Sequence, residues 1–259
     1  MIASLPMYDL PEIRAATDAW WRGLSEHMGI KGELDRGPDR YRAWRDPDLV
    51  FSQTCGYPLT HEFRGRLRLL ATPHYAADGC AGPNYCSIIF AREEVDPVAL
   101  RGRIAAYNST DSMSGMLALK LVFAPHAQRG AFFAGAIATG SHVNSLAAVK
   151  RGEADVCAID AVTAALVRHC RSELLEGLVE IARSPQVPAL PFVTSTGRPA
   201  SEVARIGAAL QRAFSDPALA EAREALLLTG LSVLSDDDYE RIVELERETE
   251  AMGGLTLWR

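Results

Sequence analysis

The sequence predicts an α/β fold with mostly parallel sheets flanked by helices, and three observations predict it. Apolar runs of strand length alternate with helical segments along the 259 residues. Several runs are nearly continuous rather than alternating, as at Leu49, Val50 and Phe51, the pattern of a strand covered on both faces. Three times in succession a run then breaks into a small polar tip and turns directly into a helix, the βα repeat of an open parallel sheet.

Residues 2–7 read as the first strand. Asp9 with Glu12 has capping-box spacing and Pro11 lies in the first turn, so Ile13, Ala16, Trp20, Leu24 and Met28 form a helix that stops at Gly29. Tyr8 sits at the carboxyl tip of that strand, where its phenol either reaches a ligand or rests half-buried against backbone. Residues 31–40 form a polar loop, and residues 49–51 a second strand ending at Ser52, Gln53 and Thr54. Gly56 then allows a tight turn, and Tyr57 is held extended before Pro58. Residues 66–72 make a third strand, residues 73–84 a loop rich in Gly, Ala and Pro, and residues 85–91 an apolar strand.

The three strand–tip–helix units follow. Residues 103–108 lead to Ser112 at an N-cap position, with Met113, Ser114 and Gly115 in the first turn of the next helix. First-turn amides lack intrahelical acceptors and carry the positive end of the helix dipole, so small residues there leave a place for an anion. Residues 135–140 lead to Ser141 and His142, and residues 155–159 to Asp160. Taken singly, Ser112 and Asp160 read as N-caps and His142 as a solvated residue at a helix start. Together they occupy the carboxyl ends of three strands, where open α/β sheets bind ligands.

Beyond these units, residues 178–182 read as a strand and residues 184–193 as a stiff segment with three prolines. The remainder reads as helical. Val203, Ile206, Leu210 and Phe214 mark one helix, residues 219–228 a second ending at Gly230, and Tyr239, Ile242 and Leu245 a third begun by Ser235 and three aspartates.

In the stretches TDSMSG, TGSHVNSLAAVKRGEADVCAID and SPQVPALPFV, and in ASLPMYDLPE, QTCGYPL and GCAGPNYCS, the chain resembles the phosphate, phosphite and phosphonate substrate-binding proteins of ABC importers. The resemblance implies a type II periplasmic-binding-protein fold, a two-lobed clamshell with a mostly parallel sheet in each lobe and two hinge crossings. Lobe one would take residues 1–88 and 192–259 and lobe two residues 89–191, with Ser87 at the hinge mouth. The implied function is to hold a small phosphorus oxyanion (phosphonate, phosphite or phosphate-like) in the interlobe cleft as the solute-binding component of an importer. No cofactor, no metal and no catalysis are implied; the expected state is a monomer that meets an ABC permease. The resemblance makes Tyr57 a ligand candidate and favours ligand roles for His142 and Asp160. Met113, in place of a small polar residue, and Asp111, an acid close to the tip, depart from the family pattern.

Composition narrows the alternatives. A net charge of −6 and the lack of any useful Lys/Arg cluster exclude a nucleic-acid binder and leave anion recognition to local dipoles. No run approaches the roughly 18 apolar residues of a membrane span. The N-terminus has neither a basic nor an apolar leader region, so the expectation is cytoplasmic as the chain stands, and periplasmic if a leader lies upstream or was removed. Five cysteines without framework spacing suit a reducing compartment, although Cys80 and Cys86 could pair in an exported protein.

The candidate chemistry combines hydroxyls (Ser112, Ser114, Tyr57), the amides of residues 113–115, His142, whose charged form would balance the ligand, and Asp160. A carboxylate there accepts only from a ligand that brings a proton, which selects protonation state. Two alternatives stand beside this one. One is a cytoplasmic ligand-sensing module with the same fold and a regulatory partner. The other is a hydrolase using Ser112, His142 and Asp160, although DSMSG lacks the first glycine of G-x-S-x-G. The dinucleotide, P-loop and H-E-x-x-H motifs are absent.

Overall fold

In the computed structural model, which describes residues 1–257, the chain opens with β1 (Ile2–Ser4), α1 (Arg14–Met28), α2 (Arg40–Arg45), β2 (Leu49–Gln53), α3 (Gly56–Thr60) and β3 (Leu67–Tyr75). Short β4 (Cys80–Ala81) and β5 (Asn84–Tyr85) lead to β6 (Ser87–Ala91), β7 (Ile104–Tyr107), α4 (Ala118–Phe123), β8 (Gly135–Ala138), α5 (His142–Lys150), β9 (Val156–Asp160), α6 (Ala161–Cys170) and β10 (Val179–Arg183). The chain ends through β11 (Val187–Pro188), β12 (Phe192–Ser195), α7 (Ala200–Ser215), α8 (Ala220–Ala225), β13 (Leu228–Ser232) and α9 (Asp236–Ala251). Two compact units result: residues 1–76, 81–83 and 188–239, and residues 77–80, 84–187 and 240 onward.

The first unit holds a five-stranded sheet in the order β1-β2-β12-β3-β13. β1, β2 and β3 run one way, while β12 and β13 run against them. Helix α1 buries Trp20, Trp21, Leu24 and Met28. Trp20 meets Phe214 of α7 edge-on at 5.0 Å and Trp21 stacks on Phe51 of β2 at 5.9 Å, so the helix is fixed to a neighbouring helix and to the sheet. It stops as expected, with Gly29 in the left-handed region (φ 68) and its amide bonded to Glu26 O. Its start differs from the expected capping box: a 3-10 turn at Pro11–Ile13 precedes it without a side-chain cap, and Asp9 instead pairs with Arg36 at 2.6 Å.

The second unit holds the sheet β10-β6-β9-β7-β8. β7 pairs in parallel with β8 and β9, whereas β6 is antiparallel to β9 and β10. Four of the five strands therefore share one direction with β6 reversed, so the sheet is mostly parallel in direction and mixed in pairing. β6 and β9 are buried along their whole lengths, which accounts for their continuous apolar character. Each fully buried Ile or Phe in them contributes about 1.5–3 kcal/mol. Arg92 donates to the carbonyls of Val149 and Ala154 and to Asp155, and Asp155 accepts the Ile104 amide at 2.9 Å. That network sets the starts of β7 and β9 level.

The C-terminal third departs from the sequence reading at two points. The expected helix over residues 219–228 ends at Ala225. Leu227 takes a left-handed φ of 58, and β13 then adds to the edge of β3. Sheet pairing overrides the helical propensity of the leucine run. Residues from Glu240 onward belong to the second unit, whereas the sequence reading kept 192–259 with the first lobe; the Thr256 amide bonds Gly130 O at 3.0 Å there. Tyr239 stays in the first unit, fully buried, donating to Ala189 O at 2.7 Å and sharing a hydrogen bond with Thr72 Oγ1.

Gly23 of α1 faces Leu219 so closely that a β-carbon there would lie 2.5 Å from a leucine methyl. Gly23→Ala should lower stability by roughly 1–3 kcal/mol in urea unfolding, because overpacking forces off-rotamer side chains. An unchanged midpoint would show that Leu219 has room to withdraw.

Candidate functional site

The parallel pairing of β7 with β8 and β9 sets their carboxyl ends at one edge of the second unit's sheet. Each of those ends is turned into a helix by a side-chain cap. Ser112 Oγ accepts the Gly115 amide at 2.9 Å, Ser141 Oγ accepts the Asn144 amide at 3.1 Å, and Asp160 Oδ1 accepts the Thr163 amide at 2.9 Å. Ser112 and Asp160 cap as expected, and Ser141 caps as well.

The first of these helices does not begin as an α-helix. Met113–Leu117 is a π-turn in which the Leu117 amide bonds Ser112 O at 3.0 Å, and α4 follows it directly. Such wide turns are rare and recur at functional sites. Here the turn buries Ser114, whose Oγ is hydrogen-bonded to His142 Nε2 at 2.8 Å, so the first two tips are tied by side chains. Backbone ties them as well: the Gly140 amide bonds Asn108 O and the Thr139 amide bonds Tyr107 O. Thr139 Oγ1 adds contacts to Ser145 Oγ and to the Tyr107 and Ser141 carbonyls.

His142 is half-buried as a residue, yet its Nδ1 is out of reach of solvent. Burial pushes the imidazole down to about 4, against a weaker opposite pull from the Ala158 backbone. Without ligand the ring is therefore neutral at pH 7, a dipole and hydrogen-bond partner rather than a cation. The Ser112, His142, Asp160 triad is not assembled either, since His142 bonds Ser114 while Ser112 and Asp160 serve as caps.

The other candidates fall as follows. Ser87 is buried on β6 directly opposite Asp160 of β9, with its amide on Ser184 Oγ at 2.9 Å. Tyr8 and Tyr57 belong to the first unit. Tyr8 meets Tyr75 edge-on at 5.4 Å, beside Gln53, whose Nε2 donates to Tyr75 Oη and Leu190 O. Tyr57 is helical rather than extended: it lies in α3, stacked on His61 at 3.9 Å. A proline in a first turn sacrifices no intrahelical hydrogen bond, so Pro58 does not stop the helix. All five cysteines are free, and burial pushes the Cys80 thiol up to about 12, helped by Asp160 and Cys86. Among the described residues no group of three or more His, Cys, Asp or Glu is placed to hold a metal.

Sequence reasoning did not assign ligand roles to Asn108 and Ser109. Their side-chain oxygens Oδ1 and Oγ are buried at the β7 tip with no hydrogen-bond partner. The available signal was the abrupt switch from apolar to polar residues after Tyr107.

A chain with such paired sheets and polar strand tips has the architecture of a ligand-binding protein, and similar solved structures bear on this directly. A binding protein component of an ABC phosphonate transporter from Pseudomonas aeruginosa superposes with a TM-score of 0.78 at 17% identity, over 97% of this chain and 87% of that one. PhnD1 from Prochlorococcus marinus, in complex with methylphosphonate, gives 0.74 at 13% identity over 96% and 98%. XAC2383 from Xanthomonas citri, bound to chloride ion, gives 0.74 at 20% over 97% and 98%. These likenesses show the periplasmic-binding-protein fold. The family model described as "ABC transporter, phosphonate, periplasmic substrate-binding protein" matches residues 2–239, and the chain belongs to that family. No curated protein sequence matches significantly. Among the described residues no helix is long and apolar enough to cross a membrane.

The neutral His142 gives a pH signature. Its folded-state value of about 4 lies below the ordinary 6.5, so the unfolded chain takes up the proton first as pH falls. Stability should drop between those two values, by up to about 3 kcal/mol. His142→Gln should flatten this part of the profile relative to wild type; parallel profiles would mean that the imidazole titrates normally in the folded protein.

Proposed function

We propose that the protein binds a small phosphorus oxyanion, a phosphonate, phosphite or phosphate-like anion, as the solute-binding component of an ABC importer, without transforming it. The observation that carries this reading is the Ser114–His142 pair at the π-turn, which ties two capped strand tips into one polar locus. Family membership supports the class of ligand.

In this reading the oxyanion accepts from the Ser114 hydroxyl and from the first-turn amides of Met113 and Ser114, the Gly115 amide being taken by the Ser112 cap, with the helix dipole adding to the attraction. Preorganised dipoles suit an anion because they need no reorientation and bring no counter-charge that must itself be desolvated. Gly115 makes room for Asn108 against the turn, and Ser112 holds the turn through its cap. The neutral His142 orients the Ser114 hydroxyl. Asp160, if it meets the ligand, accepts from a protonated one. Ligand contacts from Ser87, Tyr8 and Tyr57 belong to the same proposal, and a membrane permease is the partner it requires. The binding reading is preferred to a hydrolase because His142 Nε2 is bonded to Ser114 rather than to Ser112.

The test is a thermal-shift screen of phosphate, phosphite, methylphosphonate and sulfate on wild type, Ser114→Ala and Tyr57→Phe. A native-state ligand at 100 times its dissociation constant stabilises by about 2.7 kcal/mol, a rise of several degrees. One phosphorus anion should give that rise in wild type, and Ser114→Ala should remove most of it. A flat response of wild type to the whole panel would overturn the oxyanion reading.

A further inference from the structure

Asn108 is the first residue beyond β7, and it is fixed from both sides. Its carbonyl accepts the Gly140 amide at 2.9 Å, which holds the backbone against the second tip. Its side chain lies against the π-turn: a β-carbon at Gly115 would fall 1.9 Å from Asn108 Oδ1 and 3.2 Å from its backbone nitrogen. That close approach explains why the first turn carries glycine at Gly115. The Asn108 side-chain oxygen Oδ1 is thus positioned by its surroundings, buried, and without a hydrogen-bond partner among the described residues. Ser109 Oγ, next in sequence, is in the same state.

A hydroxyl can donate or accept, but an amide oxygen only accepts. Leaving a buried acceptor unsatisfied is costly, and native proteins rarely do so without a reason. A fully deprotonated tetrahedral anion cannot relieve the cost, since it has no hydrogen to give and adds lone-pair repulsion. A ligand that brings its own donor removes both penalties.

Resting on the oxyanion reading above, we propose that Asn108 is a specificity-determining residue whose Oδ1 accepts a hydrogen bond from the ligand. The site thereby selects phosphorus oxyanions that carry a hydrogen-bond donor, either a P–OH group or an ammonium on the organic substituent, and disfavours donorless anions such as sulfate. The choice of partner falls to an amide rather than to a charge, so selection works through the missing hydrogen bond.

Isothermal titration of sulfate, methylphosphonate and 2-aminoethylphosphonate at pH 6, where methylphosphonate keeps a P–OH, tests this on wild type, Asn108→Ala and Asn108→Asp. Wild type should prefer the donor-bearing anions over sulfate by at least about 10-fold. Asn108→Ala should bring that ratio towards one with an unchanged or higher Tm for the ligand-free protein, because a buried unsatisfied group has been removed. Asn108→Asp, which presents only acceptors, should keep or widen the ratio. A preference confined to 2-aminoethylphosphonate assigns the donor to the ammonium, and one shared with methylphosphonate assigns it to the P–OH. An unchanged ratio in Asn108→Ala, or a ratio lost in Asn108→Asp while phosphonate binding persists, overturns the role of Asn108 and leaves the oxyanion reading standing. Failure of wild type to bind any of the three overturns both.

Discussion

The parallel pairing of β7 with its two neighbours is the constraint from which the site follows. Parallel strands in adjacent positions must end at the same edge, so whatever follows each one is delivered to a common place. The Arg92–Asp155 network sets the starts of β7 and β9 level, and the caps at Ser112, Ser141 and Asp160 convert each ending into a helix within a few residues. Neither the pairing nor the caps would make a site alone. The pairing gathers the tips, and the caps begin α5, α6 and the π-turn there, each accepting one first-turn amide.

Charge is distributed to match. Arg36 pairs with Asp9 and Asp18 in the first unit, and Arg183, at the carboxyl end of β10, is held by Asp78 and Glu180. The residues at the β7, β8 and β9 tips are hydroxyls, an amide, a neutral imidazole and two carboxylates, the capping Asp160 and Asp111. In an acidic protein this gives a locus whose pull on an anion is short-ranged and directional, so shape and hydrogen-bond count weigh more than net charge.

Much of this was legible from the sequence, and for reasons that can be stated. Caps depend on a local rule, a short polar side chain followed by a free amide, and Ser112, Ser141 and Asp160 obey it. The continuous apolar runs of β6 and β9 announced central strands. What escaped notice depends on distant partners. The leucines at Leu226, Leu227 and Leu228 favour a helix by propensity, and only β3, more than 150 residues earlier, makes part of that stretch a strand. The reversal of β12 and β13 in the first sheet is equally non-local. Tyr57 was misplaced because the rule for residues before proline is weaker than a helix start that needs no amide from Pro58. Asn108 looked like an ordinary turn residue, since nothing in one dimension shows that Gly115 would lie against it.

The π-turn has an evolutionary reading. A wide turn is an α-helical turn with one residue added, and each residue of a helix rotates its neighbours by about 100°. The buried face of α4, with Ala118, Leu119 and Phe123, is anchored in the core. A single-residue deletion within Met113–Leu117 would leave that face seated while swinging Ser114 off His142, and the reverse insertion would restore it. The Ser114–His142 contact is therefore one codon away from being erased or rebuilt, at a position where length rather than residue identity is the inherited variable.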